Sequence, residues 1–140
     1  MKILVPVDGS LFTKHMLAYL AAHDEWLGGA HQYTLLHVAP AVPPRAAAVL
    51  DKSVLQAHYT EESDKVFKPL RTFFAKQKIA AEFVAKVGAA ADTIASLADK
   101  GKFDLVMMGS HGHGMLASVV TGSVVVRVLA RCQTPVLIVR

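Results

Sequence analysis

Five short apolar runs, each closed by turn-forming residues and separated by stretches of helical periodicity, restrict this chain more than anything else in its sequence. The runs are Lys2–Val7 (KILVPV), Gln32–Ala39 (QYTLLHVA), Ala80–Lys86, Phe103–Met108 (FDLVMM) and Pro135–Arg140 (PVLIVR). They are apolar on both faces, the pattern of strands covered on both sides. Between them the periodicity predicts helices over about Leu11–Trp26, Leu50–Lys76, Ala91–Lys100 and Ser118–Arg131. The last is rich in valines that suit a strand, but its length and position favour a helix. Strands alternating with helices imply an α/β fold with a mainly parallel sheet. Right-handed crossovers then favour an open, Rossmann-like sheet of five strands in the order 3-2-1-4-5, with helices on both faces.

Local signals refine this plan. Ser10 is placed to cap the first helix, whose Leu11, His15, Ala18 and Ala22 share a face widened by Phe12, Leu17 and Leu20. On that reading His15 is structural. Gly28-Gly29 stops the helix. Pro40–Arg45, with three prolines, reads as a loop that no helix or central strand crosses. Pro69 is expected to kink or restart the long helix. At 140 residues and 53% hydrophobic content, one domain spanning residues 1–140 is expected, with a sizeable core.

Composition excludes several classes of function. Cys132, the one cysteine, allows no internal disulfide and favours a reducing compartment. The N-terminal run is too short for a signal peptide, so a cytoplasmic location is expected. The longest uncharged stretch, Leu105–Val126, holds four glycines, three serines, a threonine and two histidines, which rules out a membrane span. Net charge is +4, yet there is no run of five like charges and no RNA-binding aromatic or zinc-finger spacing. Nucleic acid is not an expected partner. After Asp104 no acidic residue follows, while Arg127, Arg131 and Arg140 remain, so that third of the chain offers an anion no local carboxylate.

In the 3-2-1-4-5 order the switch point lies between strands one and four, where ligands of open α/β sheets bind. Val7-Asp8-Gly9-Ser10 and Gly109-Ser110-His111-Gly112-His113-Gly114 converge there. Glycines at such a place let a phosphate chain approach backbone N–H groups, and the following helix adds its own unpaired donors. Gly122-Ser123 lies early in that helix. Three glycine patterns compete. A Walker A loop is excluded, because Gly101-Lys102 is followed by Phe103. Residues 112–117 match the dinucleotide form GxGxxA, but the acid it needs about twenty residues on is missing. The third is Gly109-x2-Gly112-x9-Gly122-Ser123. Histidines raise a metal hypothesis through His37, His111 and His113, but there is no HExxH or Cys/His cluster. His37 reads as a strand-end residue satisfied by a backbone neighbour.

The third pattern resembles the nucleotide-binding signature of the universal stress protein family. The resemblance runs from KILVPVDGS at Lys2 through LLHVAP at Leu35 to TPVLIVR at the C-terminus. It implies a five-stranded fold of the adenine nucleotide alpha-hydrolase-like kind and membership of the class that binds ATP, with Mg2+ able to arrive on the nucleotide beside Asp8. By position it implies that Pro6, Val7 and Asp8 lie near the adenosine and that Val38 packs on adenine. Met108, Gly109, His111 and Gly112 would line the first part of the loop, and Gly122, Ser123, Val124 and Val125 would hold phosphates and ribose. His113 stands where family members often carry lysine or arginine, which weakens attraction to a γ-phosphate. The implied role is a stress-response switch. With no evident arginine finger, and Arg45 read as an ordinary exposed arginine, it would have at most slow hydrolysis or autophosphorylation. The alternative is a nucleotide-independent interaction module. In both cases the apolar edge strand Pro135–Arg140 is expected to pair in a homodimer.

Overall fold

A strand can occupy the middle of a doubly covered sheet only if both of its faces are apolar. Lys2–Pro6 meets that condition, with Ile3, Leu4 and Val5 each 0% exposed. The computed structural model describes residues 1–27, 29–111 and 121–140. The expected stop at Gly28, together with Gly112, His113, Gly114 and the first part of the expected 118–131 helix, lies outside them. The strand Lys2–Pro6, β1, pairs in parallel with β2 (Gln32–Ala39) on one side and with Leu105–Gly109, which is β4, on the other. The strand β3 (Ala81–Val87) flanks β2, and β5 (Val136–Val139) flanks β4. The sheet is all-parallel in the order β3-β2-β1-β4-β5, as the alternation of elements implied.

Helices α1 (Leu11–Ala22), α2 (Asp24–Leu27), α3 (Pro44–Ala47), α4 (Lys52–Lys76), α5 (Ala90–Lys100) and α6 (Ser123–Arg131) complete the described structure. On one face α1 and α4 pack Met16, Leu20, Phe67 and Phe74 against Ile3, Val5 and Leu35. On the other, α5 and α6 pack Ile94, Ala98, Val125 and Val128 against Leu4, Leu36 and Val106. Successive residues of β1 thus serve opposite layers. Each fully buried aliphatic side chain contributes roughly 1.5–3 kcal/mol, so the paired cores dominate stability.

Several local expectations are corrected. The buried stripe of α1 is Thr13, Met16 and Leu20, whereas Leu11, His15, Ala18 and Ala22 are exposed. Leucine and alanine on every side of this helix left its phase open, and docking on the sheet decided it. His15 instead stands edge-on to Phe12 at the surface, ring centroids 5.7 Å apart. The first helix also breaks at His23, whose backbone is extended (φ −129°, ψ 97°), and Asp24–Leu27 forms a separate turn. Pro44 starts α3 rather than continuing a loop, because proline lacks only an N–H that the first helical turn leaves unpaired anyway. The helix α4 runs through Pro69 without a restart. Strand four begins at Leu105, since Phe103 and Asp104 belong to the turn in which Lys102 adopts φ 53°.

The path into β5 is fixed by one carboxylate. Asp99, near the end of α5, accepts from the Thr134 hydroxyl at 2.8 Å and the Thr134 N–H at 3.0 Å. It also accepts from the Gln133 N–H at 3.2 Å. The Thr134 hydroxyl and then the Gln133 N–H hold the Asp99 carboxyl below its ordinary pKa of 3.8. A carboxylate favoured by folding stabilises fully above its unfolded pKa and loses that contribution as pH falls through the folded value. Acidification below about pH 4 should therefore lower the melting temperature of the wild type more steeply than that of Asp99→Asn. Parallel acid limbs in the two proteins would show that this clamp contributes nothing.

Candidate functional site

Reversal of the strand order at β1 leaves a crevice where the loops after β1 and β4 part. A cavity of about 750 Å³ occupies it, over the carboxyl ends of β1, β2 and β4. Pro6, Val7, Asp8, Val38, Met108, Gly109, His111, Gly122, Ser123, Val124 and Val125 all lie on its wall. Gly112, the remaining residue singled out from sequence, is outside the described residues.

The β1 end is held by α1. The Ser10 N–H donates to Asp8 Oδ1 at 2.9 Å, and the Thr13 hydroxyl donates to the same oxygen at 3.1 Å. Gly9, at φ 77°, makes the left-handed turn between them, a conformation that favours glycine. Ser10 is the N-cap of α1 as expected, but its hydroxyl makes no capping bond and is buried without a partner. Asp8 is thereby held by its own turn on the cavity wall, where its carboxylate is a hard oxygen ligand. Among the described residues no three His, Cys, Asp or Glu side chains gather as a metal site.

The β4 end is built differently. A Cβ at Gly109 would lie 2.8 Å from Phe12 Cβ and 3.1 Å from the Phe12 carbonyl oxygen. Gly109 is therefore required by the close approach of α1 to β4, a packing reason that stands apart from any ligand. His111 Nδ1 lies 2.9 Å from Ser110 Oγ, and its ring sits 4.7 Å from the Phe12 ring. The chain closes on itself where Gly122 N–H donates to Ser110 O at 2.7 Å.

Gly122 is the N-cap of α6 rather than a residue inside it, with φ −71° and ψ 158°. The first intrahelical bond runs from Val126 N–H to Gly122 O at 3.2 Å. The N–H groups of Ser123, Val124 and Val125 consequently have no intrahelical acceptor, and all three residues border the cavity. With no acidic residue in this first turn, the positive end of the helix dipole is uncompensated. Such an end favours an anion by about 0.3–1 kcal/mol, and by up to about 2 kcal/mol when partly buried. Arg131 does not add to this field, since its Nε lies 2.8 Å from Asp92 Oδ1 on α5. The absence of acids after Asp104 in sequence is thus not their absence in space.

The sequence reading missed the contributions of α4 and α5. Glu62, Lys65 and Val66 stand on one face of α4, and Ala90 and Ile94 on one face of α5; all five line the cavity with Leu36, Pro40 and Thr13. Their helical spacing was readable, but not which face would lean over the crevice. Lys65 is tied to Glu61 at 3.4 Å and Glu62 at 3.6 Å. His37 is held by a side chain and not by the backbone, its Nδ1 lying 3.1 Å from Ser63 Oγ of α4. Arg45, exposed on α3, does not line the cavity. Among the described residues no helix is long and apolar enough to cross a membrane.

Comparison with known proteins adds a second line of evidence. The family model of the universal stress protein family matches residues 1–140. Universal stress protein MJ0531 of Methanocaldococcus jannaschii is 28% identical, over 99% of this chain and 81% of its own. Universal stress protein Sll1654 of Synechocystis is 34% identical over 60% of this chain, a match spanning 55% of that protein's length. The structure of hypothetical protein MJ0577 superimposes with a TM-score of 0.81 at 26% identity, covering 99% of this chain and 94% of that one. Two more distant structures share the fold and carry ligands. A universal stress protein family protein from Arabidopsis thaliana, solved with AMP bound, has a TM-score of 0.71 at 14% identity, covering 99% and 90%. The universal stress protein from Archaeoglobus fulgidus, in complex with dAMP, has a TM-score of 0.69 at 20% identity, covering 100% and 98%.

Proposed function

This chain belongs to the universal stress protein family, and from that premise we propose that its cavity binds an adenine nucleotide, with ATP the physiological ligand. The observation that carries the reading is the N–H row of Ser123, Val124 and Val125, without intrahelical acceptors, on a cavity whose wall elsewhere holds Val7, Leu36, Val38 and Ile94. Phosphates suit the first, because fixed donors and a helix dipole meet their charge. An adenine ring suits the second, between Val7, Leu36, Val38 and Ile94. The AMP and dAMP held by the Arabidopsis and Archaeoglobus proteins support the same class of ligand here. Where the nucleotide arrives with Mg2+, Asp8 is the carboxylate placed to approach the ion.

Turnover is not what this site is built for. Phosphoryl transfer needs charge neutralisation around the γ-phosphate. Lys65, the cavity-lining lysine among the described residues, is already engaged by two glutamates. The role that fits is a stress-response switch in the cytoplasm, with at most slow hydrolysis or autophosphorylation. Occupancy of the cavity would alter which surface is presented to a partner.

The partner we propose is a second copy. Pro135 O and Val139 O accept from Val106 N–H and Ser110 N–H, so alternate residues of β5 are committed to β4 and those between face the open edge. The outward pair is Val136 and Ile138. Beside this edge, α6 leaves Val126 55% and Leu129 50% exposed. A two-fold pairing of β5 strands would cover both.

Two measurements test the reading. Calorimetric titration with AMP and with Mg-ATP should give binding in the wild type that Gly122→Lys loses. That backbone tolerates a side chain, and a long one fills the phosphate end. No binding by folded wild type would hand the cavity to the alternative, a nucleotide-independent interaction module. For the dimer, lysine at Val136 or Ile138 would damage the α5–α6 core that both side chains touch. Ile138→Pro is the sharper variant, because it removes an outward N–H and leaves the β4 ladder intact. It should sediment as a monomer where the wild type is a dimer, and unchanged mass would exclude the edge pairing.

A further inference from the structure

His37 is not used by the phosphate end, yet it is a buried polar side chain on the cavity wall. It projects from β2 toward α4, where its ring stands edge-on to Phe67 with centroids 6.1 Å apart. Its Nδ1 lies 3.1 Å from Ser63 Oγ. The residue is 9% exposed and lines the cavity. Ser10 Oγ and Trp26 Nε1 are the buried side-chain polar atoms lacking a partner among the described residues, and His37 Nε2 is not one of them. No described residue hydrogen-bonds Nε2, so this nitrogen is reached from the cavity.

Ser63 decides which nitrogen carries the proton. It is 4% exposed in the middle of α4, and His37 Nδ1 is the hydrogen-bond partner of its hydroxyl. Serines within helices commonly donate to the carbonyl four residues back, but Ser63 makes no such bond to Tyr59. If Nδ1–H donated to Ser63 Oγ, the hydroxyl hydrogen would be left in the core without an acceptor, which is costly. Donation from Ser63 to a bare Nδ1 satisfies both groups. The imidazole is then neutral, with its proton on Nε2 and directed at the cavity. Burial also lowers the pKa of this ring, against the upward pull of Asp8 and Glu62.

We infer that His37 reads the base of the bound nucleotide, its Nε2–H donating to a ring-nitrogen acceptor of adenine. This rests on the nucleotide reading above. The start of α6 lies on the β4 side of the crevice and β2 on the far side of β1, so phosphates at Ser123–Val125 put the base over β1 and β2. The apolar wall there holds a flat ring but does not fix which atoms face which way. A donor locked by Ser63 helps to do so, because a ligand lacking the matching acceptor leaves a desolvated N–H unpaired.

The test uses AMP and its 1-deaza, 3-deaza and 7-deaza analogues, each lacking one ring-nitrogen acceptor. One analogue should bind the wild type about tenfold more weakly than AMP, the size of one hydrogen bond. In His37→Asn, whose amide reaches Ser63 but not the Nε2 position, AMP should weaken by a similar factor and the deaza penalty should vanish. His37→Gln, which restores a donor near Nε2, should recover both. Independently of any variant or ligand, 15N NMR of the free wild-type ring should show the proton on Nε2. A proton on Nδ1, or equal affinity of the wild type for AMP and all three analogues, overturns the inference and leaves nucleotide binding standing. Failure of the folded wild type to bind AMP removes the nucleotide reading and this inference with it.

Discussion

The fold and its cavity both depend on the burial of β1 on two faces at once. Ile3 and Val5 are committed to the α1–α4 layer and Leu4 to the α5–α6 layer, each at 0% exposure. A strand used in this way has to be central, and its two neighbours must be reached by crossovers of opposite direction along the sheet. The chain therefore leaves β1 and β4 on diverging paths, and a crevice opens at the carboxyl ends between them. The crevice is a consequence of topology before any side chain is chosen. Its chemistry is then set by the two turns that border it, one tightened around Asp8 by Ser10 and Thr13, the other closed by the Gly122–Ser110 bond.

That division explains what could be read from sequence. Strands buried on two faces write themselves as continuous apolar runs, so their order along the chain and the switch point were legible. The residues singled out around Asp8 and Gly109 were legible for the same reason, since each directly follows such a run, whereas Gly122 stands at the start of α6. What failed were questions of phase and of distance. The α1 sequence LFTKHMLAYLAA is apolar on more than one side, and the face that docks includes Thr13, which is there to hold Asp8. The pairing of His37 with Ser63 spans 26 residues and joins elements whose approach no local pattern encodes. Gly109 also has a packing role that no local pattern encodes, because a Cβ there would lie 2.8 Å from Phe12 Cβ.

In the proposed complex, the two ends of the cavity divide the work of recognition. The start of α6 offers generic attraction to phosphate, which any nucleotide satisfies. The far end offers an apolar slot and, by the inference above, the Nε2–H of His37, which a base with a matching acceptor satisfies. Affinity and selectivity are thus, on this reading, the work of different helices, α6 and α4, which pack on opposite faces of the sheet. On that reading, filling the cavity would bridge the two helices, and this is the route to switching that we propose.

The most direct test of this account is a backbone-amide NMR titration of the protein with AMP and, separately, with adenosine. The account predicts that the amides of Val7 and Val38 move with both ligands. Those of Ser123, Val124 and Val125 should move strongly with AMP and little with adenosine, since only AMP brings a phosphate to the start of α6. Shifts at Ser123–Val125 that are the same with and without the phosphate, or shifts that avoid both groups, would contradict it.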